Sequence, residues 1–200
     1  MPFTTSFRVA ALSLITVAGI AGAQTSPPAR TGYVTANGVN YYYEIRGQGE
    51  PLLLLHGGLG NVAMFAPGIP EFAKTRQVIA VDLYGHGRTA LTDRPMNYID
   101  VGDDMATVIR ELGYRQVDVL GYSMGGGIAF RLAAQHPALV PRLVLVSAGF
   151  AQDGFYPEML PQQAAVSGKV ADQFKGTPIY GSYMAVAPRK EDFPRLLDRM

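Results

Sequence analysis

The 200 residues include no cysteine. A disulfide framework, a thiolate zinc site, an iron–sulfur cluster and a cysteine nucleophile are therefore excluded for this chain. Charge is scarce and balanced: 16% of residues are charged, with Lys+Arg 17 against Asp+Glu 16 and a net charge of +1. No long basic block occurs, so the sequence offers nucleic acid no electrostatic footprint. Histidine occurs three times only. Apolar residues, by contrast, make up 48% of the chain. A sizeable core is available and wholesale disorder is excluded. The length fits one domain, or one domain with part of another.

The N-terminus reads as an address. Arg8 precedes Val9–Ala23, fifteen residues without a charge, and Ala21-Gly22-Ala23 has the small-x-small pattern that a signal peptidase accepts. The stretch is shorter than the roughly 20 apolar residues of a membrane span and is interrupted by Ser13, Thr16, Gly19 and Gly22. Residues 1–23 are thus expected to be a cleaved signal peptide, an uncleaved anchor being the alternative, and the mature protein is expected to be secreted or periplasmic and off the membrane. Residues 24–31, polar and Pro-rich, read as a flexible lead-in.

Beyond it, short apolar runs alternate with helical patterns. The strand candidates Leu52–Leu55, Val78–Val81, Val117–Leu120 and Leu143–Val146 start 26, 39 and 26 residues apart, near the roughly 30 residues of a βαβ unit. They are apolar on both faces, as central parallel strands covered by helices require. Ahead of them, Gly32–Ala36 and Val39–Arg46 flank Asn37-Gly38, a dipeptide suited to a tight hairpin turn. One helix is expected to be capped by Asp100, with Asp103 and Asp104 favoured in its first turn and Val101, Met105, Val108, Ile109 and Leu112 as its apolar stripe. A second is expected from Ser123 to about Gln135, stopped by Pro137. The pattern predicts an α/β fold: a three-layer sandwich on a mostly parallel sheet that opens with an antiparallel hairpin. After Phe150, Gly and Pro interruptions with helical fragments indicate the start of a helical cap over residues 151–200, following a core over 32–150.

The chemistry centres on Gly121-Tyr122-Ser123-Met124-Gly125, a G-x-S-x-G pattern at the end of one strand and the start of a helix. A sharp strand-to-helix turn exposes the serine hydroxyl and aims a helix N-terminus at developing negative charge, and a β-carbon on either glycine would strike neighbouring backbone. His56-Gly57-Gly58-Leu59-Gly60 follows the strand Leu52–Leu55. A Gly-rich loop there can present a second amide, so the natural oxyanion pair is the backbone N–H of Gly58 with that of Met124. Leu59 and Phe150 are candidate substrate contacts, and Phe65, Phe155 and Tyr156 are further apolar residues available to a pocket. In Asp82-Leu83-Tyr84-Gly85-His86-Gly87-Arg88-Thr89, Asp82 and Arg88 are expected to tie a structural turn.

The succession strand–HGG, strand–DLYGHGRT and strand–GYSMGG resembles the α/β-hydrolase superfamily, and most of all its small esterase, cofactor-free haloperoxidase and carbon–carbon hydrolase branch. The resemblance covers about residues 32–150, and LVLVSAGF (Leu143–Phe150) is similar to that family's sixth strand and its exit into a cap. It implies Ser123 as nucleophile, Gly58 and Met124 as oxyanion donors, a lid beginning near Gln152, a small-molecule acyl substrate, and no metal or organic cofactor. Thr89 stands where the family usually has serine. The family orders its triad as nucleophile, acid, histidine. After Ser123 there is only His136, thirteen residues along the same expected helix and so about 20 Å away. Asp153 is a candidate acid. The expectation is that the triad acid and histidine lie beyond residue 200 and that these residues alone have little activity. The alternatives are a binding module that keeps the architecture without the chemistry, or an inactive fragment. A dinucleotide-binding reading fails because Phe130 stands where a third glycine is needed after Gly125 and Gly127.

Overall fold

The computed structural model describes residues 30–149, 154, 156–158 and 160–200. The expected signal peptide, Phe150, Asp153 and Phe155 lie outside the described residues. Strand β1 (Arg30–Ala36) turns at Asn37-Gly38 into β2 (Val39–Arg46), and both turn residues have positive φ, as a primed turn requires. Arg30 and Thr31, expected in the lead-in, already belong to β1 and pair with Ile45 and Glu44. The chain continues through β3 (Glu50–Leu55), the short helix α1 (Ile69–Phe72), β4 (Arg76–Val81), α2 (Tyr98–Glu111), β5 (Asp118–Tyr122), α3 (Met124–Gln135) and β6 (Leu143–Val146). Helices α4 (Leu160–Ala164), α5 (Pro178–Val186) and α6 (Phe193–Arg199) follow. No helix among the described residues is long and apolar enough to cross a membrane.

The sheet order is β1-β2-β4-β3-β5-β6, antiparallel through β1, β2 and β4 and parallel through β4, β3, β5 and β6. The two-residue alternation of a strand sorts the apolar residues to two sides. Leu53, Leu55, Ile79, Val81 and Val119 join a large core with α2 and α3. Leu52, Leu54, Val78 and Ala80 join a smaller one with Ile69 of α1 and Val62. The run Leu53-Leu54-Leu55 is fully buried because both of its faces are covered. β6 differs from the expectation of a central strand. It is the edge of the described sheet, and Val144, Leu145 and Val146 are exposed. Its apolar run records a strand suited to cover on both faces, and a run alone does not say how many neighbours it has.

α2 begins earlier than expected. Asn97, in extended conformation, caps it by accepting the Asp100 N–H at 2.8 Å, so Asp100 lies inside the first turn rather than at the cap. Asp103 and Asp104 are also not first-turn dipole partners. Asp103 accepts from Gln135 and pairs with His136 at 2.7 Å. Asp104 is fully buried and holds Arg94, the Tyr41 hydroxyl and Asn37 Nδ2, the last at 2.8 Å. One carboxylate thus joins the hairpin, the loop before α2 and α2 itself. Burial, reinforced by the Asp104 charge, raises the Tyr41 hydroxyl pKa, so the phenol stays a donor.

At the lower end of the sheet, Asp118 receives Arg76 at 2.5 Å and Arg142 at 3.0 Å. Above the sheet, Arg195 and Arg199 donate to backbone carbonyls of residues 92–94, and Phe193, Leu196 and Leu197 enter the main core. The helical segment expected after Phe150 therefore packs on the loops that crown the sheet.

The two neighbouring aspartates give a paired expectation. Asp104→Ala leaves Arg94 and Tyr41 without their buried partner and should cost about 3–5 kcal/mol in urea denaturation. Asp103→Ala, at a half-exposed position, should cost under about 1 kcal/mol. Equal losses would show that Asp104 does not join the three segments.

Candidate active site

The elbow between β5 and α3 is built as tightly as backbone permits. Ser123 has φ 51° and ψ −118°, a conformation costly for a side-chain-bearing residue. A β-carbon on Gly121 would come within 2.4 Å of the Gly125 carbonyl oxygen, and one on Gly125 within 2.2 Å of the Leu55 carbonyl oxygen. These are backbone contacts that no side-chain rotation relieves, so both glycines of the pattern are sterically required. The turn is closed by the Ser123 N–H donating to Val146 at 2.9 Å, and by Gly126 and Gly127 N–H groups donating to the Ser123 carbonyl. Ser123 is exposed, and its side chain does not cap the helix it precedes.

The Gly-rich loop after β3 approaches from the side. Gly57 lies so close that a β-carbon there would come 3.4 Å from Ser123 Cβ. The orientation of the next peptide is set by His56. Its Nε2 accepts the Leu83 N–H at 3.0 Å, which fixes the tautomer, and Nδ1–H then donates to the Gly57 carbonyl at 2.8 Å. Gly60 N–H donates to the same carbonyl at 3.1 Å. In a trans peptide the N–H opposes the C=O, so holding the Gly57 carbonyl in this way directs the Gly58 N–H to the other side. Among the described residues, neither the Gly58 nor the Met124 amide donates a hydrogen bond.

The loop after β4 supports this one. Asp82 accepts Val62 N–H at 2.7 Å and Arg88 N–H at 2.8 Å, the tie expected from the sequence, although the Arg88 guanidinium itself is farther off at 3.5 Å. The Thr89 hydroxyl donates to the Asp82 carbonyl at 2.7 Å and accepts the Tyr42 N–H at 3.0 Å. A serine would make the same two bonds, so the departure from the family pattern at Thr89 is chemically neutral. Asn61 caps the short helical turn over 62–65 and reaches Ser182 of α5 at 2.8 Å, a tie that sequence periodicity does not signal.

Ser123, Gly58, Met124 and Leu59 all line one cavity of about 310 Å³. The structure thus brings together the candidate nucleophile, both candidate amide donors and Leu59. The other walls are Tyr98 and Gly127, the Ser147–Gly149 segment after β6, Gln163 and Val166, and Met200. No charged side chain lines it among the described residues. Phe65 packs instead with the smaller core, and Tyr156 is exposed.

No histidine is placed to serve Ser123. His56 and His86 are fully buried and their rings lie 5.4 Å apart. Burial, then the neighbouring His86, pushes His56 down to about 3, with the bond to Gly57 opposing. Burial pushes His86 down to about 4 against its bond to the Tyr84 carbonyl. Both are neutral structural groups. His136 ends α3 beside Asp103 and Arg110, at the opposite end of the helix from Ser123.

Residues 50–178 match the family described as the alpha/beta hydrolase fold. A 2-hydroxymuconate semialdehyde hydrolase of Pseudomonas sp. is 40% identical over 121 residues, 58% of this chain and 43% of that protein. The pimeloyl-[acyl-carrier protein] methyl ester esterase of Neisseria meningitidis is 38% identical over 129 residues, 63% of this chain and 47% of that protein. An esterase from Exiguobacterium antarcticum shares the fold with a TM-score of 0.66 and 26% identity, over 77% of this chain and 60% of that one. The chain spans less than half the length of the curated relatives it matches, from 34% to 47%. With the motifs, the sheet order and the elbow in agreement, the chain belongs to the α/β-hydrolase fold family.

Proposed function

We propose that this protein is a serine hydrolase that cleaves an ester or related acyl bond through Ser123. The observation that carries the reading is the geometry of the elbow: an exposed serine hydroxyl at φ 51°, beside two amides that donate to nothing else among the described residues. Ser123 Oγ attacks the carbonyl carbon. The Gly58 and Met124 N–H groups take the negative charge that builds on the carbonyl oxygen. A histidine outside these 200 residues takes the serine proton, returns it to the leaving alcohol, and then activates the water that releases the acyl group. Hydrolase and esterase names among the relatives support the class. A binding-only module is the second reading, favoured by one observation: none of the three histidines serves Ser123.

Labelling separates the two readings. The protein expressed from its complete reading frame should react with a fluorophosphonate at Ser123, as located by peptide mass spectrometry, and Ser123→Ala should abolish labelling. A folded wild-type protein that resists the reagent would establish the binding module instead.

The neutral histidines behind the oxyanion loop add a pH dependence. A histidine whose folded-state pKa is depressed stabilises the fold above its unfolded value of about 6.5, and that stability drains away as pH falls towards the folded value. For His86 the window runs from about 6.5 to about 4. At about 1.4 kcal/mol per pH unit, its share of the loss should be about 2 kcal/mol between pH 7 and pH 5. Urea denaturation of wild type and His86→Gln at pH 7, 6 and 5 measures this difference, and parallel curves would refute a neutral buried His86.

A further inference from the structure

Four non-glycine residues among those described have positive φ: Asn37, Leu59, Ser123 and Ser147. Asn37 belongs to the hairpin turn, where asparagine adopts this conformation readily. The other three line the same cavity, on loops leaving β3, β5 and β6, which are consecutive parallel strands. Backbone strain clusters at functional sites. Ser123 is accounted for by the elbow and Leu59 lies in the Gly-rich loop after β3, whereas Ser147, at φ 51°, has no assigned role.

The sheet register fixes its position. Tyr122 pairs with Val146, and the Ser123 N–H donates to the Val146 carbonyl. Ser147 is therefore the next rung beside Ser123, at about the 4.8 Å spacing of neighbouring strands. One residue on, the Ala148 methyl lies where a β-carbon on Gly126 would be only 2.4 Å away, which seats this segment on α3. β5 lies between β3 and β6, so the oxyanion loop flanks Ser123 on one side and Ser147 flanks it on the other. A trigonal carbonyl carbon over Ser123 with its oxygen towards Gly58 must point its two remaining substituents away from β3, which is towards Ser147. The cavity is lined by Ser147, Tyr98 and Gln163, which carry neutral polar groups, and by no charged residue among the described residues. An anionic substituent would meet no countercharge among the described residues, whereas a neutral oxygen would meet a hydroxyl donor.

We propose that Ser147 is a substrate-positioning residue: its hydroxyl donates a hydrogen bond to a neutral oxygen one or two bonds from the scissile carbonyl, which makes the substrate an uncharged ester bearing a further oxygen beside the reacting centre. The inference rests on the serine hydrolase reading. A turn that served only to seat Ala148 on α3 would need the left-handed backbone and not the hydroxyl. Ser147→Gly keeps that backbone accessible and removes the hydroxyl, and Ser147→Asn accepts the same backbone and restores a donor.

The test uses p-nitrophenyl methoxyacetate and p-nitrophenyl butyrate, which have equal chain length and differ by an ether oxygen in place of a methylene group. In the protein expressed from its complete reading frame, Ser147→Gly should raise KM for the methoxyacetate about tenfold. KM for the butyrate should change less than about twofold, Tm should not fall, and Ser147→Asn should recover most of the preference. Comparing the KM ratio of the two esters between variants cancels their intrinsic reactivities. A ratio unchanged by Ser147→Gly, or equal losses on both esters that track a fall in Tm, overturns this assignment while fluorophosphonate labelling of Ser123 stays intact. A wild-type protein that neither labels nor turns over, or turnover that survives Ser123→Ala, overturns the hydrolase reading and this one with it.

Discussion

Ser123 keeps its φ of 51° because α3 is pressed against the sheet at backbone-contact distance. The Leu55 carbonyl oxygen would be 2.2 Å from a β-carbon on Gly125, and the Gly125 carbonyl oxygen 2.4 Å from one on Gly121. Remove that contact and the strand would run into the helix through a relaxed turn with the serine facing elsewhere. The strain at one residue, of order 1–3 kcal/mol, is offset by what the close approach buries on the same elements: Leu53, Leu55, Val119, Ile128, Ala129 and Leu132, each at most 2% exposed and worth about 1.5–3 kcal/mol for a large side chain. The helix cannot relax away from the sheet without giving up several of these at once.

A second constraint keeps the Gly-rich loop after β3 in register with the elbow. His56 is a single neutral ring that reads two backbones: it accepts from Leu83 on the β4 side and donates to Gly57 on the β3 side. Asp82 and Thr89 repeat the arrangement one step away, joining Val62, Arg88 and Tyr42. A protonated His56 would present N–H to the Leu83 N–H, two donors facing each other, so burial favours the neutral ring that the geometry needs. Positions that look catalytic by residue type, a histidine and an aspartate at the crown of the sheet, are spent on holding backbone.

The strands were legible because parallel strands buried on both faces must be continuously apolar, and Leu52–Leu55 and Val78–Val81 are. The elbow was legible because its glycines answer to backbone sterics, which a short pattern encodes. Asp104 was misread because helical position alone suggests a dipole partner, whereas its burial depends on Arg94 and Tyr41, ten and sixty-three residues away in sequence. The cap at Asn97 was missed because asparagine and aspartate cap equally well and spacing does not rank them. Ser147 and Tyr98 gave no local signal: one follows an apolar strand and the other opens a helix, and only the sheet order brings them to one cavity. The edge position of β6 was likewise hidden, since its sequence is that of a strand with covered faces.

On the proposed hydrolase reading, the architecture separates placing the serine from activating it. Placement needs only the sheet order and a few glycines, all found between Leu52 and Val146. Activation needs a base within hydrogen-bond reach of Oγ, and in this chain the imidazoles near the site, His56 and His86, are fully buried and bound to backbone. Swinging either ring towards Ser123 would break bonds that orient the Gly57–Gly58 peptide or the 82–89 turn. On the proposed hydrolase reading, neither of these two rings can act as the base without undoing the site it would serve. Around Ser123 the cavity is walled by Gly58, Gly127, Ser147 and Gly149 together with Met200 and Tyr98, whose methyl group and ring pack on Gly58 and Gly127 so closely that a β-carbon on either glycine would be 2.6 Å away.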